Sequence, residues 1–271
     1  MITGAASGFG RAILAAALDS GDTVVATARR AEQLSELADC ERAYTIALDV
    51  TDARQRESAV EEAIERCGRI DVLVNNAGRT QVGAVEETTD DELRSLFELH
   101  FFGPAALTRA VLPHMRERRQ GTIVQMSSVG GQVTAPGFGA YCATKFALEG
   151  LTETLRDEVA AFGIRVLIVE PGAFRTGLFR PGAAYESAEM REYAEVVGPT
   201  RAYVRGNDGL QPGDPAKAAR AILAALDAQD PPLRLVLGAD AIGNVRSRLA
   251  GLTDELTRWE DTGRRTAVDD P

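Results

Sequence analysis

The sequence predicts an α/β fold: a doubly wound parallel sheet of Rossmann type, layered α/β/α, in a single domain. Three observations carry this. Short β-branched runs alternate with amphipathic stretches along the chain. The runs are nearly continuously apolar, as strands covered by helices on both faces must be. A glycine-rich segment stands at the head of the first helical stretch.

Strands are read at 23–28, 43–50, 70–78, 121–128, 164–172 and 233–238, and helices at 10–19, 31–38, 52–67, 90–118, 139–161 and 215–228. In 52–67 the residues Ala59, Val60, Ala63, Ile64 and Cys67 keep the three-and-four spacing of one helix face, Asp52 is placed to cap it and Gly68 to end it. No repeat, linker or composition shift divides residues 1–271, so one domain is expected. The irregular stretch 173–213, with a helix near 186–197, reads as a lid, because a long irregular segment inside a compact domain is usually functional. Its Phe174, Leu178, Phe179, Tyr185, Met190, Tyr193 and Tyr203 either line a lipophilic pocket or form the lid's own core. The polar tail 261–271 is expected to fray.

The 271 residues are 45% apolar and 26% charged, enough for one large core without a metal or disulfide. A net charge of −10 argues against nucleic acid as a partner. Cys40, Cys67 and Cys142 are dispersed and odd in number, which fits a reducing, cytoplasmic setting. With no CxxC pair and only His100 and His114, a zinc site is not expected. No secretory leader is visible, and no apolar run is long enough to span a bilayer.

The chemistry begins at "TGAASGFG", residues 3–10. Gly4, Gly8 and Gly10 permit a tight turn and close backbone approach, and the helix that follows offers free N–H groups to a pyrophosphate. Where an NAD site would carry a ribose-binding acid at the end of the second strand, this chain has Ala28-Arg29-Arg30. Arg29 suits a 2′-phosphate, so NADP(H) is favoured over NAD(H). Tyr141 and Lys145 lie four apart on one helix face, with Ser128 at a strand end. A nearby ammonium favours a phenolate, which would make Tyr141 a general acid/base, and Ser128 would polarise the substrate oxygen.

With these motifs in this order, the chain resembles a short-chain dehydrogenase/reductase from Thr3 to about Thr176. The resemblance implies a hydride-transfer site on residues it matches one by one. Gly4, Ser7, Gly8, Phe9 and Gly10 form the cofactor loop. Asp49 and Val50 meet the adenine, and Asn76, Ala77 and Gly78 belong to the motif beside its ribose. Pro171, Gly172, Phe174 and Thr176 form the segment at the nicotinamide carboxamide. Ser128, Tyr141 and Lys145 are catalytic, and Tyr141 and Lys145 also hold the nicotinamide ribose. Relatives often form homodimers or homotetramers through the helix at 90–118 and the one carrying Tyr141.

Two departures stand out. His100 occupies the family's helix-borne asparagine position, where a main-chain carbonyl holds a relay water. Its imidazole would either join that relay as a titrating group or be a plain structural substitution. The family's central first strand is represented only by Met1–Thr3, so a chain extended upstream is expected to be more stable. The function expected is an NADP(H)-dependent oxidoreductase interconverting a ketone or aldehyde and an alcohol on a lipophilic small molecule. The alternatives are an NAD-linked hydroxysteroid- or retinol-like alcohol dehydrogenase and a non-catalytic dinucleotide sensor.

Overall fold

The computed structural model describes residues 1–268. In chain order the elements are α1 (Gly8–Asp19), β1 (Val24–Ala28), β2 (Ala43–Ala47), α2 (Ala53–Cys67), β3 (Val72–Asn75), β4 (Thr80–Val82), α3 (Asp90–Phe97), α4 (Gly103–Arg118), β5 (Gly121–Met126), α5 (Gly139–Val159), β6 (Ile164–Pro171), β7 (Ala184–Glu186), α6 (Ala194–Gly206), α7 (Pro215–Asp227), β8 (Arg234–Leu237) and α8 (Ala239–Arg264).

The sheet is parallel and its centre is Ile2. This residue bridges Ala26 of β1 on one side and Val74 of β3 on the other. Ile2 N–H donates to Val25 (2.8 Å), and Ile2 C=O accepts from Thr27 N–H (2.9 Å). Met1 C=O accepts from Val74 N–H (2.8 Å). The pair β1–β2 is thereby joined to the run β3–β5–β6–β8. The chain winds outward from Met1–Thr3 in both directions, so the strand order reverses there, and an open α/β sheet has its ligand crevice at such a point. The glycine loop follows at once.

Alternate strand residues feed two cores, as the doubly covered sheet requires. Val74, Val124 and Leu167 pack with Leu14 of α1 and Ile222 of α7. Leu73, Ile123 and Val166 pack on the other face with Val60 of α2, Val111 of α4 and Leu155 of α5. Asp52 caps α2 by accepting from Arg54 and Gln55 N–H, and Gly68 ends it at φ 75°, as the sequence implied.

The structure departs from the expected elements at places that bear on function. The strands are shorter at their C-terminal ends, because 48–50, 76–78 and 127–128 leave the sheet to build the site. The expected helix 90–118 is interrupted by a wide π-type turn, Glu98–Phe102, in which Gly103 N–H reaches back to Glu98 C=O. Pro104 follows without an N–H to donate, so the ladder loses a bond there, and the wide turn places His100 inward. Where a helix was expected at 31–38, Ala31–Leu37 form a short 3-10 segment.

The lid helix α6 begins at Ala194, later than the expected 186–197. Residues 184–186 instead form β7, which pairs in parallel with β4 as a small second sheet. A buried ion pair, Arg201 to Glu87 at 2.7 Å, pins the lid to the segment after β4. Past 238 no helix was expected, yet α8 continues to Arg264, so 261–264 are helical rather than frayed. The last three residues of that tail lie outside the described residues. Among the described residues no helix is long and apolar enough to cross a membrane.

Candidate active site

The glycine loop is shaped by contacts that exclude side chains. Gly4 and Gly8 take φ of +65° and +55°, in the left-handed region. A Cβ on Gly10 would lie 2.3 Å from Gly4 C=O. The loop is fixed by its neighbour, since Asn76 Nδ2 donates to Thr3 C=O (2.8 Å) and Thr3 Oγ1 accepts from Asn76 and Ala77 N–H (2.8 and 3.0 Å). Asn76 and Ala77 therefore brace the loop. Ser7 occupies the cap position of α1 without bonding to it, so the first N–H groups of α1 have no side-chain cap. Opposite, the Phe9 and Phe174 rings pack at 5.1 Å, and Gly8 lies close against Thr176. Gly172 has no room for a Cβ because Asp240 at the start of α8 sits there, accepting from Ala173 N–H at 2.9 Å.

At one end of the crevice stand Arg29, exposed just past β1, and the Asp49–Val50 pair. Asp49 Oδ1 is occupied by Thr51, through its N–H (2.9 Å) and hydroxyl (2.7 Å), while Val50 is buried.

At the other end Ser128, Tyr141 and Lys145 come together. Ser128 Oγ accepts from Gly130 N–H (3.0 Å), leaving its own proton free to donate. The Tyr141 ring lies against Gly130, where a Cβ would stand 3.1 Å from Cε1. Lys145 Nζ donates to Met126 C=O (2.8 Å) and lies 5.7 Å from the Tyr141 ring centre. Burial pushes the Lys145 ammonium down to about 8, with the Glu149 charge pulling the other way. The expected lowering of the Tyr141 pKa is corrected: burial pushes the phenol up to about 12, outweighing the opposing pull of the nearby Ser128 hydroxyl. In the protein alone Tyr141 therefore keeps its proton at neutral pH.

His100 is buried beside them, its ring edge-on to Tyr141 with centres 5.5 Å apart. Nε2 accepts from Arg79 N–H (3.1 Å), which places the proton on Nδ1, 2.9 Å from Thr144 Oγ1. Thr144 in turn donates to Tyr141 C=O (2.8 Å). Burial, and then the charges of Lys145 and Arg79, hold the imidazole well below its ordinary pKa. Of the two readings of His100, relay group or structural substitution, this geometry fits the second: a neutral brace between the loop after β3 and α5. His100→Asn is expected to leave the pH–rate profile unchanged from pH 6 to 9 and to lower stability by about 1–2 kcal/mol in urea titrations. A shifted acid limb would restore the titrating role.

Sequence reasoning missed a buried charge network under this triad. Glu149, one turn beyond Lys145, accepts from Ser127 Oγ and pairs with Arg234 (3.0 Å). Arg234 also contacts Glu170 (2.9 Å), which is wholly buried and accepts from Gln132. The signal was local: Glu170 interrupts an apolar strand directly before Pro171-Gly172. Arg79 and Thr144 were also missed, although each sits beside a recognised motif.

A cavity of about 810 Å³ runs from Arg29 past the glycine loop to the triad and on under the lid. The two readings of the lid aromatics divide. Phe174, Leu178, Phe179, Tyr185 and Tyr203 line the cavity, whereas Tyr193 packs on the lid's own core, where Phe179 also takes part. Among the described residues no group of His, Cys, Asp and Glu is placed to hold a metal.

A dinucleotide-shaped crevice at a switch point, ending on Ser, Tyr and Lys, defines a reductase or dehydrogenase class. The family description "short chain dehydrogenase" matches residues 1–186, and the chain belongs to that family of oxidoreductases. It is 38% identical over 270 residues to oxidoreductase BOA17 of Botryotinia fuckeliana (strain B05.10), covering 98% of both chains. A short-chain dehydrogenase from Streptomyces avermitilis superposes with a TM-score of 0.92 at 59% identity, over 98% of both chains. One from Burkholderia cenocepacia J2315, solved with NADP, has a TM-score of 0.74 at 27% identity, over 95% of this chain and 94% of that one.

Proposed function

We propose that the protein interconverts a ketone or aldehyde and its alcohol by hydride transfer with NADP(H), acting on a lipophilic small molecule. The observation that carries this is the placement of Ser128, Tyr141 and Lys145 at one end of a single cavity whose other end is the glycine loop and Arg29. The residues fit a dinucleotide: Gly4, Gly8 and Gly10 leave backbone where side chains would obstruct a pyrophosphate, and the uncapped start of α1 favours its charge. The nicotinamide would supply or accept the hydride. Asp49, Val50 and Gly78 would lie along the adenosine half, and Pro171, Gly172, Phe174 and Thr176 along the nicotinamide half.

Ser128 donates its free proton to the substrate oxygen and stabilises charge developing there. Tyr141 delivers the proton in reduction. Lys145, fixed on Met126 C=O, sets a positive charge beside the phenol and within reach of a ribose. The aromatic lining from the lid supports a lipophilic substrate. Exposed Phe102, Phe146 and Leu151, on or beside α4 and α5, support a homodimer or homotetramer through those helices. The dispersed thiols support a cytoplasmic location.

The deciding test is a fluorescence titration with NADPH and NADH. Tighter binding of NADPH is expected, with the preference falling about 10- to 100-fold in Arg29→Ala, as loss of a charge-assisted contact implies. A preference for NADH would overturn the phosphate assignment and favour NAD-linked alcohol oxidation.

A further inference from the structure

The helix α8 leaves the body of the protein. Its root is anchored through buried Ala241 and Val245, but every described residue from Arg246 onward is exposed. A helical arm surrounded by water has little to hold it, because most helical stability in proteins comes from packing of an apolar face. This arm also contains Gly243, Gly251 and Gly263, and glycine is the poorest helix former after proline.

The arm nevertheless carries an apolar face. Ile242, Leu249, Leu252, Leu256 and Trp259 lie on one helix face in the three-and-four register of a coiled-coil seam, which starts beside the buried Val245 at the root. Leu256 is 72% exposed and Trp259 65%. The seam is self-complementary when reversed. An antiparallel second copy centred between Ala250 and Gly251 sets Leu249 against Leu252 and Ile242 against Trp259, and brings Leu256 to the root of the arm.

The charges choose the same arrangement. Arg248 and Glu255 flank the seam on the same side, and in the reversed pairing each meets the other from the second copy. A parallel pairing would instead bring Glu255 beside Glu260, a like-charge contact. Among the described residues neither Arg248 nor Glu255 has an ion-pair partner within the chain.

We propose that α8 is a self-pairing arm, through which two copies of this chain associate by antiparallel packing of the Ile242–Trp259 seam. The interface is two-fold symmetric, as most closed homo-oligomeric contacts are. It is separate from the surfaces on α4 and α5.

Trp259 is the chain's only tryptophan, so its emission reports the seam directly. The full-length protein is examined by tryptophan fluorescence and sedimentation velocity over a dilution series. Blue-shifted emission at micromolar concentration is expected, shifting to the red on dilution. Arg248→Glu is expected to raise the concentration for half-association at least tenfold, and Arg248→Glu combined with Glu255→Arg is expected to restore it. Water-like emission at every concentration would overturn the proposal. So would blue-shifted emission that the single reversal leaves unchanged or the double reversal fails to rescue, since the arm would then dock on some other surface.

Discussion

Tyr141→Phe is expected to lower turnover about 10³-fold while leaving NADPH binding and melting temperature close to those of the parent. The ring stays, so its contacts with His100 (5.5 Å), Phe138 (6.2 Å) and the face of Gly130 persist. Only the hydroxyl goes. The measurement is kcat on a carbonyl compound beside a cofactor titration, and turnover within tenfold of the parent would refute the assignment. The pKa near 12 adds a direction. A phenol that keeps its proton through neutrality donates it without help, so reduction should be flat from pH 6 to 7 and change only as the Lys145 ammonium titrates near 8. Oxidation needs the phenolate and should climb with pH from about 6 to 9.

Much of this was legible in the residues, and the reasons are physical. The two-sided burial of the sheet writes nearly unbroken apolar runs, so β1, β5 and β6 could be found directly. The glycines at 4, 8 and 10 stand where backbone must approach backbone, and the Tyr141–Lys145 spacing is that of one helix face. What escaped depends on contacts made at a distance. The π-type turn at His100 follows from Pro104 and from Gly103, whose Cβ would meet Val50 C=O at 2.7 Å across the fold. Pairing of β4 with β7 joins segments about a hundred residues apart, and neither is long enough to announce itself. The raised pKa of Tyr141 is a burial effect, and helix spacing says nothing of burial depth. The arm beyond Gly238 has helical apolar spacing, but its glycines and its lack of a packed face leave no core signal in the sequence.

Arg234→Met is expected to destabilise the protein by about 3–5 kcal/mol at pH 8, where the buried carboxylates are left without their partner, and by less at lower pH, where they take up protons. Arg234 is the only cation touching both Glu149 and Glu170 among the described residues, and burial already pushes both carboxyls up, Glu170 to about 7. A folded-state pKa above the unfolded one means that the native state holds the extra proton between about 4.5 and 7. Stability is therefore greatest below that window and falls as pH rises through it, by roughly 3 kcal/mol for a shift of this size. Glu170→Gln removes the titration and should flatten the decline. Arg234→Met raises the carboxyl pKa values further and should carry the decline above pH 7. Urea denaturation of the three proteins at pH 5, 6, 7 and 8 reads all of this. Parallel curves for the parent and Glu170→Gln would show that Glu170 does not titrate there. The network also reaches the residues proposed as catalytic, because Glu149 accepts from Ser127, next to Ser128, and lies one turn beyond Lys145. A milder Arg234→Lys keeps the charge but not the fork that spans Glu149 and Glu170, so it should preserve most of the stability while still lowering kcat.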